Sequence, residues 1–530
     1  MKKSLFILAA GLLLAAGCGN LNSQAEKEYL QPVRPGYEGR NPFWNKFSKK
    51  FMYAPAFDFA EIEGAAKYRF TASQEGFESS FEDKSPKAPL SPIWSNIPVG
   101  DTHLKVVALD EKGTEIGLAG ERDFFRDYPF SGPYLEKVRP YEEAARMALL
   151  YNDGIPQIQA WKESTEPDMT YKHNTYPDKI IGATIRNECL VAKLFPNKKE
   201  NALKIARNAA QFLIDQSRPE GDPLAFFPPT YYKDLIASAN NQGKIMTMDP
   251  IFAGDAFLDL FDATGDELYK DRAVKIADTY KAIQREDGSY PIKMEFETGE
   301  PVNSASAMLT PLLRYLRRLE RDYGVKGYEE TLAKGEKWMK EKALETFDFT
   351  GQFEDVGVDV EPYQNLTNCT AAPYASYLLL YGTEEDIDDA RDLIRLSEDQ
   401  FVHWTSRPDA NGIHHVQVPC VHEQYKYETP VDNSSCNVAN AYLDLYEKTG
   451  DKLALAKAKA LVDGLTIAQN PGSGFTPTTL DYRETKRDRG RTFWINCSCS
   501  TIRIWLRMAE KGYLYGRPKA SEYRAPSGDG

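Results

Sequence analysis

The chain has 530 residues, 42% hydrophobic and 12% aromatic, enough to build a sizeable core in one large domain with a small one beside it. A formal net charge of -13 supports solubility and excludes wholesale nucleic-acid binding. Its seven cysteines are too widely spread to form a small disulfide framework.

In chain order, Lys2 and Lys3 precede an apolar run from Leu5 to Ala16. Residues 1–17 therefore read as a secretory signal, too short and too early for a spanning helix. The stretch Leu14-Ala15-Ala16-Gly17-Cys18 resembles the bacterial lipobox, which implies that Cys18 is lipidated and begins the mature chain; the alternative is an ordinary cleaved signal that contains a cysteine. The implied protein is anchored by its lipid alone to a bacterial membrane, in the periplasm or at the cell surface. Without the two signal lysines the net charge becomes -15. Residues 18–45 are polar, carry Pro32 and Pro35, and are expected to form a flexible tether.

Residues 46–128 read as β. Phe57-Asp58-Phe59 and Ala66 to Thr71 alternate with period two, and His103 to Leu109, a turn from Asp110 to Gly113, and Thr114 to Ile116 read as a hairpin. A Glu-Gly-Ala-x-x-Tyr strand followed by a glycine-led strand and an acidic turn is similar to fibronectin type III or immunoglobulin-like modules, which implies a small β-sandwich.

Residues 129–515 contain an internal repeat. Ala256 to Asp266 recurs as Ala441 to Asp451, 185 residues later, each copy an apolar helix closed by Thr-Gly-Asp. The glycine supplies a left-handed helix end and the aspartate caps the next helix, so each copy folds back as a hairpin. Looser copies begin near Ile181, Asn303 and Thr370, and a last apolar helix runs from about Ser498 to Gly512. Three units per 185 residues gives six units between Arg139 and Gly512, with the helix from Pro140 to Tyr151 as partner of the last one. The fold class is thus mainly α, an (α/α)6 toroid behind a small N-terminal β-sandwich, with an open helical solenoid as the alternative. Residues 516–530 are a tail. The Leu-Asp-Leu-Tyr-x-x-Thr-Gly-Asp hairpins resemble the six-hairpin glycosidase superfamily, a likeness of architecture that implies sugar chemistry without fixing a reaction.

Six long connections, 153–180, 218–250, 285–302, 346–369, 404–434 and 470–497, lead into the inner helices, where side chains can converge on a central funnel. They hold His173, Tyr176, Tyr232, Tyr363 and Trp494, flat partners for the C–H faces of sugars, or staples for long loops. The segment from His414 to Tyr425 is the first choice of active site, with His422 and Tyr425 as proton donor and acceptor and Glu423 as carboxylate. Asp178 and Asp249 each stand just before an inner helix, as caps or as members of a carboxylate pair with Glu423 for glycoside hydrolysis. Arg487, Arg489 and Arg491 lie in a basic run before Trp494 and Asn496, and guanidinium groups suit a uronate or a sulfate.

Cys497, Cys499 and Cys436 look like the set of toroidal β-L-arabinofuranosidases that use a zinc-bound cysteine. Those enzymes carry adjacent cysteines and Glu-x-Cys, whereas this chain has Cys-Ser-Cys and Ser-Ser-Cys. No metal or other cofactor is expected, and the cysteines are read as buried wall residues or a disulfide. The expected activity is cleavage of an acidic poly- or oligosaccharide, by hydrolysis or by β-elimination from a uronate. A non-catalytic glycan-binding protein and a sugar epimerase are the other readings.

Overall fold

The computed structural model describes residues 20–34, 44, 46–350, 361, 363–408, 411–425, 429–481 and 493–513. Twelve helices longer than one turn form the large domain among the described residues: α1 Tyr141–Asp153, α2 Gly182–Leu194, α3 Lys199–Gln216, α4 Pro250–Thr264, α5 Glu267–Ile283, α6 Thr310–Tyr323, α7 Glu329–Trp338, α8 Asn368–Tyr381, α9 Asp386–Phe401, α10 Asp432–Thr449, α11 Lys452–Ala468 and α12 Ile495–Lys511. The six inner helices α2, α4, α6, α8, α10 and α12 each pack on the next, and α12 returns to pack on α2, so the ring is closed. Each of α2, α4, α6, α8 and α10 pairs with the outer helix that follows it, whereas α12 pairs with α1. The chain ends thus supply the sixth hairpin, and the (α/α)6 toroid, not the open solenoid, is the fold.

Local chemistry produces the hairpins. Gly265 and Gly450 adopt φ of 71° and 75°, and Asp266 and Asp451 accept from the backbone N–H of Leu268 and Leu453 at 3.1 and 3.0 Å. All the short turns lie on one face of the ring. The described parts of the long connections, which lie within 154–181, 217–249, 284–309, 339–367, 402–431 and 469–494, gather at the other face, the mouth.

The N-terminal part is a single five-stranded sheet in the order β1-β5-β4-β2-β3: β1 Lys50–Phe51, β2 Lys67–Gln74, β3 Phe77–Asp83, β4 Gly100–Leu109 and β5 Glu115–Arg126. The β4–β5 hairpin forms as read, but Phe57 to Phe59 makes only an isolated bridge to Trp44. Among the described residues the layer over the sheet is not a second sheet. Trp94 and Phe57 cover Phe124 at ring distances of 6.0 and 6.1 Å, and β1 is tied to the toroid instead.

That seam is polar, with Asp399 and Asp127 buried and Lys50 and Arg407 partly so. Asp399 near the end of α9 accepts from the backbone N–H of Met52 and Tyr53, and Gln400 donates to the Lys50 carbonyl at 3.0 Å. Asp127 pairs with Lys50 and Arg407 at 3.0 and 2.7 Å. Residues 20–34 also depart from the expected free tether. They begin as a helix over 20–28 and bury Ala25, Tyr29 and Val33 against the toroid. Cys18 and residues 514–530 lie outside the described residues.

Candidate active site

The polar residues at the mouth stand at the heads of inner helices. Asp178 precedes α2, Thr247 and Asp249 precede α4, Asn368 and Asp432 open α8 and α10, and Asn496 is the second residue of α12. Because α4, α2, α12, α10 and α8 are successive ring neighbours, these residues line one continuous arc.

Asp178 is wholly buried, and neither of its carboxyl oxygens has a hydrogen-bond partner. Burial, reinforced by the like charge of Asp249, pushes its pKa well above the usual carboxylate range, with Lys179 opposing weakly. Asp249 makes no cap hydrogen bond to α4, and Asp178 makes none at all, so capping explains neither aspartate. A carboxyl group left unpaired in a dry setting costs free energy, and such groups concentrate where chemistry uses them.

A second acidic pair lies on the far side of α12. Asp432 is buried, accepts from the Asn433 backbone N–H at 2.7 Å and from the Thr501 hydroxyl at 3.1 Å, and is pushed up to about 8 by burial with Glu423 adding to the shift. Glu423 is half-buried and held in place by its backbone, whose carbonyl accepts from the N–H of Asn368 at 2.9 Å. The thiol of Cys497 lies near this second pair, raised first by burial, then by Asp432 and Glu423, and lowered by Lys179.

An aromatic shelf adjoins Asp178. The His173 ring stacks on Trp494 at 4.1 Å and 22°, Tyr176 lies 5.5 Å from Trp494, and the Lys179 ammonium sits 5.6 and 5.9 Å from the Tyr176 and Trp494 rings. Burial and the Lys179 charge lower His173 to about 4, so it is neutral at physiological pH. Below this level Asp259 of α4 accepts from Arg186, Arg318 and Arg503 at 2.7, 2.6 and 3.2 Å, an ion cluster that ties α2, α4, α6 and α12 together across the ring.

The first-choice segment divides. Glu423 joins the mouth, but His422 and Tyr425 face the seam with the β-sheet. The His422 ring lies tilted against that of His403 at 4.2 Å, and His422 is lowered to about 3 by burial, Lys50 and Arg407. Tyr425 donates to Gln400, lies 3.3 Å from the Ser48 hydroxyl and packs under Phe401, and burial raises its pKa. The reason is local: Gln424 bridges to Thr367, the chain bends at Tyr425, and its ring turns under the toroid wall. His422 and Tyr425 are therefore not the acid and base of a mouth-centred reaction.

Tyr232 packs edge-on against Phe212 and Tyr363 donates to the Thr346 carbonyl at 2.6 Å, so both hold long loops to the body. His173, Tyr176, Trp494 and Asn496 lie at the mouth, and the Asn496 side-chain carbonyl is buried without a partner. Arg487, Arg489 and Arg491 lie outside the described residues. Among the described residues Cys189, Cys420, Cys436, Cys497 and Cys499 are buried free thiols. Cys499 faces the Ala183 carbonyl and Cys436 faces Thr501, and among the described residues no group of three or more His, Cys, Asp and Glu side chains is placed to hold a metal ion. Sequence reading missed Asp432, Thr247, Lys179 and Asn368. One signal was present: Thr247 and Asp432 are 185 residues apart, the offset of the hairpin repeat, and so occupy one structural position.

No family model and no curated protein matches the chain. Solved structures similar to it include a family 76 glycoside hydrolase from a bovine Bacteroides thetaiotaomicron strain, at 9% identity and TM-score 0.45, covering 84% of this chain and 93% of that one. A cellobiose 2-epimerase from Spirochaeta thermophila matches at 12% identity and TM-score 0.46, over 70% and 99% of the two chains. An unsaturated glucuronyl hydrolase specific for heparin matches at 10% identity and TM-score 0.46, over 71% and 99%. At such distances none of those activities carries over, and the ring closure described above establishes the fold by itself.

Proposed function

We propose that the protein is an exported, lipid-anchored enzyme that hydrolyses glycosidic bonds in an acidic glycan. The observation that carries the reading is Asp178, a buried carboxyl with both oxygens unpartnered beside a second carboxylate at the mouth of the closed ring. Hydrolysis needs one carboxyl kept protonated and another kept available as base, their environments pushed apart. Asp178 is the proton donor to the leaving oxygen, with Asp249 holding the proton on it by like-charge repulsion. Glu423 activates water, backed by Asp432. The shelf of Trp494, His173 and Tyr176 takes the sugar face, and Lys179 with the basic run from Arg487 to Arg491 favours a carboxylate or sulfate on the substrate. The lipobox-like stretch ending at Cys18 supports export and anchoring.

The test is a panel of uronate-containing and sulfated polysaccharides, read for both new reducing ends and unsaturated uronate. Reducing ends without unsaturated product, reduced about 10²- to 10⁴-fold by Asp178→Asn and by Glu423→Gln, are the expected result. Unsaturated product would replace hydrolysis by elimination. Unchanged turnover in both variants would refute the site.

A further inference from the structure

We propose that residues 20–34 fix how the molecule stands on a lipid surface, with the short-turn face of the toroid towards the bilayer and the funnel mouth away from it. The inference rests on the lipidation of Cys18 proposed above and adds to it the direction in which the enzyme faces.

The docked segment runs along the outside of the ring from the short-turn end, with Gln24 at the short turn and residues 28–31 further towards the mouth. Gln24 donates to Asp451, the cap at the start of α11 in a short turn, at 3.4 Å. One helical turn later, Glu28 accepts from Lys457 of α11 at 2.9 Å. Tyr29 then donates to Glu398 at 2.5 Å, and Gln31 accepts from Arg395 at 3.0 Å, both far along α9 towards the mouth. Burial of Ala25, Tyr29 and Val33 on one side of the segment holds it there. Its first described residue, Asn20, thus lies at the short-turn end.

Cys18 precedes Asn20 by two residues, a reach of at most about 7 Å. An acyl chain on Cys18 is therefore held near the short-turn face and is not free to swing on a long tether. The 17 residues of α11 rise about 25 Å from that face to the mouth. A lipid surface at the anchor then meets the short turns, and the funnel opens into the surrounding medium, where a polymer too large to lie between protein and bilayer can enter it.

The experiment uses the full chain, acylated in a bacterial host and reconstituted into phosphatidylethanolamine–phosphatidylglycerol vesicles. Intact mass reports acylation, and Cys18→Ala is expected to abolish vesicle binding. A small fluorophore is attached to Lys452→Cys, at the short-turn end of α11, or to Ser473→Cys, in the exposed loop beyond its mouth end. A nitroxide-headgroup lipid should quench the first label severalfold more than the second. Inserting a 20-residue Gly-Ser stretch after Gly19 should keep binding and abolish the difference. Equal or reversed quenching of acylated, bound protein would overturn the orientation and leave lipidation standing. Absence of acylation would overturn both.

Discussion

Replacing Glu398 by glutamine tests whether the toroid, the sheet and the N-terminal segment are held as one body. Glu398 is wholly buried in α9, and its two oxygens accept five hydrogen bonds: one from Tyr29 and Trp404, at 2.5 and 2.9 Å, the other from Tyr53, Tyr442 and Lys457, at 2.6, 2.6 and 2.7 Å. Whichever way the amide is turned, its NH2 faces two or three of these donors, which then have no acceptor. Each buried orphan costs about 1–3 kcal/mol, and Lys457 retains Glu28 at 2.9 Å, so a loss of about 4 kcal/mol is expected. For a chain of 530 residues, an unfolding entropy of ~2.1 cal/mol/K per residue converts this into a fall of about 4 °C in the melting temperature. Scanning calorimetry measures it, with the fluorescence of Trp404 as a local probe. Burial alone would raise the Glu398 carboxyl, but Lys457 and the tyrosine hydroxyls hold it below its usual value. Its contribution is therefore present above the unfolded value and lost as pH falls through the folded one, so the gap between wild type and variant should begin to narrow below the unfolded glutamate value of about 4.3 and close as pH passes through the folded one. The double change Glu398→Leu with Lys457→Met should recover much of the loss, because both buried charges go together. A Glu398→Gln protein that melts within about 1 °C of wild type at neutral pH would refute the buried network.

Three further outcomes are expected. Asp432 is raised from 3.8 to about 8, so the native state binds the extra proton between those values and its stability falls as pH rises through them; Asp432→Asn should gain stability relative to wild type over the same interval, by up to about 1.4 kcal/mol per pH unit, as thermal melts from pH 4 to 9 would show. Trp494→Ala removes the ring on which His173 stacks and should weaken glycan binding by about 1 kcal/mol or more in calorimetric titration, with the fold retained by circular dichroism. Gly254 lies where α4 meets Tyr315 of α6, and a Cβ there would stand 2.3 Å from the Tyr315 hydroxyl, which donates to the Ala273 carbonyl at 2.7 Å; Gly254→Ala should destabilise by about 1–3 kcal/mol in thermal melts, since the backbone and its outer partner would have to part.

The residues that carried correct readings did so through short-range chemistry. The Thr-Gly-Asp turns at 264–266 and 449–451 set their own left-handed glycine and capping aspartate, so hairpin and repeat were legible before any contact was known. Asp178 and Asp249 were legible as residues in front of inner helices, though the choice between cap and funnel was not. His422 and Tyr425 misled because three chemically able side chains in sequence need not share a face. The bend at Tyr425 and the demand of Gln400 for a partner sent two of them into the seam and left Glu423 at the mouth. The tether was misread because polar composition is blind to a few well-placed apolar residues, here Ala25, Tyr29 and Val33.

By itself, then, the sequence determined the hairpin, its number of copies and the face on which long connections gather, since these follow from periodicity and turn residues a few positions apart. Tertiary contacts alone established that α12 closes on α1 and α2, that Asp178 stands unpaired beside Asp249, and that Asp432 lies near Glu423. Those facts depend on burial and on charges brought together across hundreds of residues, and a carboxyl group's protonation is set by what surrounds it in space.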